Sequence, residues 1–189
     1  LVTRDLDLLE PMAALGLAGV AVSVTTLDAR LHGRLEPRAS SPARRLEAIR
    51  RLSAAGVPTM VMAAPMIPRV NDHELEGILA AARDAGAIGG GFTLLRLPHE
   101  VKDLFAEWLE AHFPDRKRHV LSLMAQQRGG RLNDSRFGKR MSGEGEFARL
   151  LARRFQVAAA RLGLRTDRPA LDCARFRPPP RAGDQLTLW

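Results

Sequence analysis

The sequence predicts a parallel α/β fold. Three short strand-like runs alternate with amphipathic helical segments, in the order helix, strand, helix, strand, helix, strand, helix. The strand-plus-helix units recur at about 30–38 residues, which suits right-handed crossovers between parallel strands. The first strand-like run is apolar on both faces up to Ser23, as expected of a parallel strand covered by helices. A (β/α) barrel and an open doubly wound sheet both satisfy this pattern.

Each element has a local reason. Residues 3–15 carry Leu6, Leu9, Met12 and Ala13 on one helical face, and Gly16 stops the helix. Residues 19–26 are β-branched and small, hence a strand. The stretch after it, with Asp28, Arg30, Arg34, Glu36 and Arg38, reads as a charged loop. Ser41 is a good N-cap and Pro42 fits the first turn, where a missing N–H costs nothing. Leu46, Ile49 and Leu52 form that helix's stripe, and Gly56 closes it. A second strand runs from Val57 to Ala64, and Pro65-Met66-Ile67-Pro68 ends it. Asn71 and Glu74 have capping-box spacing ahead of a helix with Leu75, Ile78, Leu79 and Ala82 inward, stopped by Gly86. The third strand spans about Ala87 to Leu95. Residues 99–112 follow as a helix with Val101, Leu104, Phe105 and Trp108 inward.

After Pro114 the character changes. Residues 117–127 read as a helix, 128–134 as a loop, and about 146–162 as a basic amphipathic helix with Phe147, Leu150, Leu151 and Phe155 inward. The end of the chain, with Pro178-Pro179-Pro180, reads as extended. The expected organisation is therefore a body over 1–114, a basic helical extension over 115–164 and a proline-rich tail over 165–189.

Charge follows that division. The net charge is +8, yet residues 1–114 carry 12 basic and 14 acidic side chains, and residues 115–189 carry 17 and 7. A basic extension suits phosphate backbones, and nucleic acid is the partner class expected for it. Only three of the 29 basic residues are lysines, a bias that GC-rich coding also produces. With 46% hydrophobic residues the 189-residue chain is of globular composition, not disordered or collagen-like. No apolar run approaches the roughly 18 residues of a membrane span, and no signal segment opens the chain, so the expectation is a cytoplasmic protein with no membrane partner. A single cysteine, Cys173, excludes an internal disulfide, an all-cysteine metal site and a self-contained iron–sulfur cluster. The five histidines lack metal-ligand spacing. The chain opens at Leu1 in an apolar-periodic run, and the expectation is a fragment of a longer protein.

In parallel α/β folds ligands gather at the carboxyl ends of strands. Three clusters fall there. Ser23-Val24-Thr25-Thr26 and the arginines beyond it suit a ribose or an amino-acid carboxylate, which arginine can grip bidentately. Met62-Ala63-Ala64-Pro65-Met66-Ile67-Pro68-Arg69-Val70-Asn71-Asp72 offers soft apolar side chains for a flat ring. Leu94-Leu95-Arg96-Leu97-Pro98 places a guanidinium among leucines, where it needs a partner. Ordinary core packing and solvated loop charge explain each cluster equally well. Gly89-Gly90-Gly91 is no phosphate loop, since it precedes the third strand's core and no Lys-Ser/Thr follows.

Several stretches resemble the C-terminal part of radical SAM proteins related to spore photoproduct lyase, often labelled DNA repair photolyases. They are Arg4-Asp5-Leu6-Asp7-Leu8-Leu9, Val22-Ser23-Val24-Thr25-Thr26-Leu27, Leu35-Glu36-Pro37-Arg38-Ala39, Pro42-Ala43-Arg44-Arg45-Leu46, Ala64-Pro65-Met66-Ile67-Pro68 with Asn71-Asp72, and Leu95-Arg96-Leu97-Pro98. Asp134-Ser135-Arg136-Phe137-Gly138 and Arg140-Met141 also fit, and the resemblance is colinear to about residue 164. It implies half of a partial parallel barrel, its last three strands with helices, plus a C-terminal helical extension. It further implies S-adenosylmethionine and a four-iron (4Fe-4S) cluster as cofactors. Three irons of that cluster are held by a CxxxCxxC loop, and reductive cleavage of the sulfonium starts radical, lyase-like chemistry. That loop and the first three strands have no counterpart here, so the parent protein would be the enzyme and this piece alone inactive. By position, Ser23 and Thr25 would face the cofactor's ribose or amino-acid end, Arg38 its carboxylate, and Met62, Ala64 and Ile67 the adenine, with Leu95 close by. No catalytic or metal-ligating residue is assigned.

The last five residues form a separate motif. Gln185-Leu186-Thr187-Leu188-Trp189 resembles the bacterial sliding-clamp-binding pentapeptide, with Gln185, Leu186, Leu188 and Trp189 as its anchors. The competing expectation is thus a non-catalytic module that docks on DNA or on the clamp.

Overall fold

The computed structural model describes residues 2–130, 132, 143–167 and 170–175. A 3-10 turn at Val2–Arg4 leads into α1 (Leu6–Ala14), β1 (Val20–Val24), α2 (Ala29–Leu35), α3 (Pro42–Ala54) and β2 (Thr59–Met66). A second 3-10 turn, Asp72–Glu74, precedes α4 (Leu75–Asp84), β3 (Gly89–Leu94), α5 (Val101–His112), α6 (Pro114–Gln126) and α7 (Gly145–Leu162), and a last 3-10 turn covers Cys173–Arg175. The strands form one parallel sheet in the order β1-β2-β3. This is the expected α/β class, with a three-strand parallel sheet flanked by helices, consistent with half of a partial barrel.

The register defines two faces. Val22 pairs with Val61 and Val61 with Gly90, while Ser23 pairs with Met62 and Met62 with Gly91. Side chains alternate along a strand, so Val22, Val24, Val61, Ala63, Phe92 and Leu94 share one face. These pack with Ile49 of α3, Leu75, Ile78, Leu79 and Ala82 of α4, and Ala148, Leu151, Phe155, Ala158 and Ala159 of α7. The opposite face carries Ala21 and Ser23, both exposed, with Met62 and Gly91 half-buried beside them. Among the described residues, helices therefore cover one face of β1 only, where its composition suggests two.

A second core lies beyond the strand ends. Ile67, Val70 and Leu97 from the exits of β2 and β3 meet Leu31 of α2, Phe105 and Leu109 of α5, and Val120 and Met124 of α6. Phe105 stacks on Trp108 at 5.5 Å, and the Trp108 indole N–H donates to the Arg34 carbonyl at 2.9 Å.

Local signals set several elements as expected. The Ser41 hydroxyl accepts from the Arg44 N–H, Pro42 occupies the first turn of α3, and Ile49 and Leu52 are fully buried. α4 buries Leu75, Ile78, Leu79 and Ala82. Gly163 ends α7 at φ 65°, the left-handed cap that glycine adopts without penalty.

Other elements differ. The stretch read as a charged loop contains α2, capped by Asp28, whose carboxylate accepts from the Arg30 N–H at 2.7 Å. β2 continues two residues past the expected end. Its pairing with β3 becomes irregular between Ala63 and Met66, where Pro65 has no N–H to donate. The face expected on α1 is at most half-buried, and Met12 is exposed. On α5, Val101 and Leu104 are exposed, and Leu109 is fully buried with Phe105 nearly so. Residues 101, 104, 105, 108 and 109 all fit helical spacing, and the position of α6 selects the Phe105/Leu109 side. On α7, Leu150 is exposed while Ala148 is buried.

α7 is followed by a return to the sheet. Arg165 forms a parallel bridge to Gly89: the Gly90 N–H donates to the Arg165 carbonyl at 2.9 Å, and the Arg165 N–H donates to the Ile88 carbonyl at 3.0 Å. A Cβ on Gly89 would stand 2.8 Å from that Arg165 oxygen, so the glycine is what permits the approach. Gly89, Gly90 and Gly91 are all residues of β3 itself.

Candidate cofactor-binding face

The carboxyl ends of β1 and β2 are tied together by side chains. The Thr25 hydroxyl donates to the Ala64 carbonyl at 3.0 Å. The buried Asn71 donates through Nδ2 to the Thr25 carbonyl at 2.7 Å and to the Pro65 carbonyl at 3.0 Å, and its Oδ1 accepts from the Ile67 N–H at 2.7 Å. Glu74 takes the Thr26 hydroxyl at 2.6 Å on one oxygen and the Leu27 N–H at 2.7 Å on the other. Asn71 and Glu74 are therefore not a capping box. Neither side chain caps the turn or α4. Both are drawn to backbone and hydroxyl groups leaving β1, which would otherwise be buried without partners.

Two arginines do similar work at the flanks. Arg45 donates to the Ser23 carbonyl at 3.0 Å, the Ser40 carbonyl at 2.8 Å and Glu36 at 2.9 Å, which satisfies an acceptor on the free edge of β1. Arg128, 4% exposed, donates to the Leu95 carbonyl at 2.8 Å beyond β3. Glu74, Arg45 and Arg128 are not among the site candidates the sequence offers, and Asn71 enters only as part of the Met62–Asp72 cluster, with no role of its own. Each has at least one partner 22 to 48 residues away, which local spacing does not reveal.

The candidates fall into two groups. Ser23 is exposed on the open face, directly paired with half-buried Met62, and Ala64 is half-buried at the strand exit. Gly91 lies beside Met62, and a Cβ there would come within 2.9 Å of the Met62 sulfur. Arg38 is exposed in the turn between α2 and α3, with no side-chain partner among the described residues. Thr25 is buried and its hydroxyl is spent on Ala64. Ile67 is fully buried in the second core, against which half-buried Leu95 also packs. The structure thus brings Ser23 and Met62 side by side and Thr25 against Ala64, and turns Ile67 into the protein. Gln185, Leu186, Leu188 and Trp189 lie outside the described residues, as do Asp134 to Gly138, Arg140 and Met141.

α7 is fastened to this end of the molecule by Arg154. Its guanidinium donates to both Glu76 oxygens, at 2.7 and 2.6 Å, and to the Asp72 carbonyl at 2.9 Å. The hydrogen bond from Arg154 holds the Glu76 carboxyl below its ordinary value of 4.5, against a smaller opposing effect of burial.

Among the described residues no group of three His, Cys, Asp or Glu side chains could hold a metal ion, and Cys173 is exposed. An iron–sulfur cluster with S-adenosylmethionine on its fourth iron needs three thiolates, and this sequence has one cysteine. The residues present do not fit a cluster. The open face presents a hydroxyl at Ser23, a thioether at Met62 and small side chains at Ala21 and Gly91. No described helix is long and apolar enough to cross a membrane.

An uncharacterized protein of Mycobacterium tuberculosis and one of Mycobacterium bovis are each 33% identical to this chain over 117 residues, 61% of this chain and 34% of theirs. An uncharacterized protein of Acidianus two-tailed virus is 30% identical over 113 residues, 59% of this chain and 36% of its own length. The matched region is thus about a third of each relative. No solved structure matches. Residues 1–82, which hold β1, β2 and the Asn71–Glu74 ties, match the family model of the Radical SAM superfamily.

Proposed function

We propose that this chain is the cofactor-holding half of a radical SAM enzyme of the spore photoproduct lyase-like group, acting within a longer protein whose other part supplies the cluster. The observation that carries the reading is the one-sided sheet. Helices pack on one face, while on the other Ala21 and Ser23 are exposed and Met62 and Gly91 half-buried among the described residues, as the inner wall of a half barrel requires. The match over residues 1–82 supports the radical SAM part of this reading. The basic residues after 115 favour nucleic acid as a partner of the whole protein within this reading.

Within this reading, Ser23 offers a hydroxyl to the cofactor's ribose or amino-acid end, Met62 and Ala64 give its adenine an apolar seat, and Arg38 is free to pair with its carboxylate. Thr25, Asn71 and Ile67 act behind them by fixing the strand exits, and Leu95 closes the side next to β3. S-adenosylmethionine, when bound to a reduced cluster, supplies one-electron chemistry for abstracting hydrogen from a substrate.

The test is cofactor affinity, measured by equilibrium dialysis of labelled S-adenosylmethionine against the longer protein. Arg38→Ala is expected to weaken binding about tenfold, the loss of one charge-assisted pair. Ser23→Trp, which fills the open face, is expected to abolish it. Unchanged affinity in both variants would overturn the assignment.

A further inference from the structure

Beyond the carboxyl end of β2, the chain turns at Arg69, which sits at φ 62°, a left-handed backbone costly for a side-chain-bearing residue. Two bonds hold it: the Arg69 N–H donates to Asp72 at 2.6 Å, and Arg116 of α6 donates to the Arg69 carbonyl at 3.1 Å. This turn and α6 enclose a cleft of about 450 Å³ lined by Arg69, Asp72, His73, Asp115, Arg116 and His119. A second cleft of about 460 Å³ adjoins it beneath α2, shares His73 and Arg116, and adds Arg30 and Arg34. Both volumes are in the range of small-molecule sites.

The charges in these clefts are unequally engaged. Asp28 caps α2, Glu74 is saturated by Thr26 and Leu27, and Asp72 accepts from the Arg69 N–H and faces Arg154 at 3.7 Å. Asp115 has no partner among the described residues. Neither do the guanidiniums of Arg30, Arg34 and Arg69, and Arg116 uses one donor on the Arg69 carbonyl. Four guanidiniums, most of their donors unspent, thus line two adjoining cavities together with four carboxylates, of which Asp28, Asp72 and Glu74 already accept hydrogen bonds from other groups. Planar guanidinium forks match phosphate oxygens.

We propose that the paired clefts bind a compact diphosphate-bearing ligand, one phosphate on Arg69 and Arg116 and the next on Arg30 and Arg34. Neither Ser23 nor Met62 lines them, and S-adenosylmethionine carries no phosphate, so this site stands or falls independently of the cofactor reading.

The test is calorimetric titration of the 189-residue chain with inorganic pyrophosphate at low ionic strength, with orthophosphate and a short single-stranded oligonucleotide as comparison arms. Pyrophosphate is expected to bind more tightly than orthophosphate. Arg34→Gln, which removes no side-chain contact within the fold, and Arg69→Gly, which relieves the turn while removing its guanidinium, are each expected to weaken it about tenfold. Asp115→Asn is expected to strengthen it. Pyrophosphate affinity unchanged in both arginine variants overturns the site. A response of the oligonucleotide alone overturns the compact ligand in favour of a phosphodiester track.

Discussion

Asn71 joins three backbone groups from two strand exits through a single buried amide: the carbonyls of Thr25 and Pro65 and the N–H of Ile67. Its truncation leaves buried polar atoms without partners, at about 1–3 kcal/mol per group. Asn71→Ala is expected to lower the stability of the fold by about 3 kcal/mol, read as a shifted urea midpoint with an unchanged slope. Nothing local in the sequence announces this. Asn71 and Glu74 have the spacing of a capping box, and the spacing is real, but the β1 groups that claim them, at Thr25 and Thr26, lie 46 and 48 residues earlier. Glycines make the same contrast between close packing and open space. Gly89→Ala drives a methyl to within 2.8 Å of the Arg165 carbonyl, and backbone must move to relieve it. That overpacking is expected to cost about 1–3 kcal/mol. Gly77→Ala in α4 meets nothing nearer than 3.7 Å and is expected to stabilise by about 0.5–1 kcal/mol, with thermal melting separating the two.

At the scale of elements, legibility follows locality. The Ser41-Pro42 start of α3 and the Leu75, Ile78, Leu79, Ala82 stripe of α4 are written within single turns of the chain, and both stand as read. α2 went unseen because its seven residues carry only Leu31 and Leu35 as an apolar pair, set among arginines and a histidine. α5 shows a different limit: its apolar residues are spread widely enough to allow two faces, and only the position of α6 decides between them. The open side of β1 was hidden for a similar reason, since small and β-branched residues do not say which face a missing layer would cover. The docking of α7 carries its own pH signature. Arg154 depresses the Glu76 carboxyl, so the folded state holds that proton less tightly than the unfolded chain. The resulting stability is fully present above the ordinary value of 4.5 and is lost as pH falls through the depressed one. Arg154→Met is expected to flatten the acid limb of a stability-against-pH curve below about pH 4.5 while leaving its neutral slope unaltered. An acid limb identical in the two proteins would detach Glu76 from α7 docking.

At the scale of the molecule, the sheet, which among the described residues is covered on one side and ends in β1, has two unsatisfied surfaces there: the open face at Ala21 and Ser23, and the outer edge of β1, of which Arg45 covers the Ser23 carbonyl. Such edges pair with other strands. The 189-residue chain on its own is therefore expected to associate with increasing concentration in sedimentation experiments, and a persistent monomer would indicate that these surfaces need no further layer. The one cysteine also bounds what these residues can do. Anaerobic reconstitution of this chain with iron and sulfide is expected to leave it colourless. The measurement that bears most directly on the account is reductive cleavage of S-adenosylmethionine by the longer protein, followed as release of 5′-deoxyadenosine. The expected result is release by the native protein and its loss in Ser23→Trp, whose indole would occupy the open face. Release unaffected by that substitution, or none from the native protein with its cluster in place, would contradict the assignment.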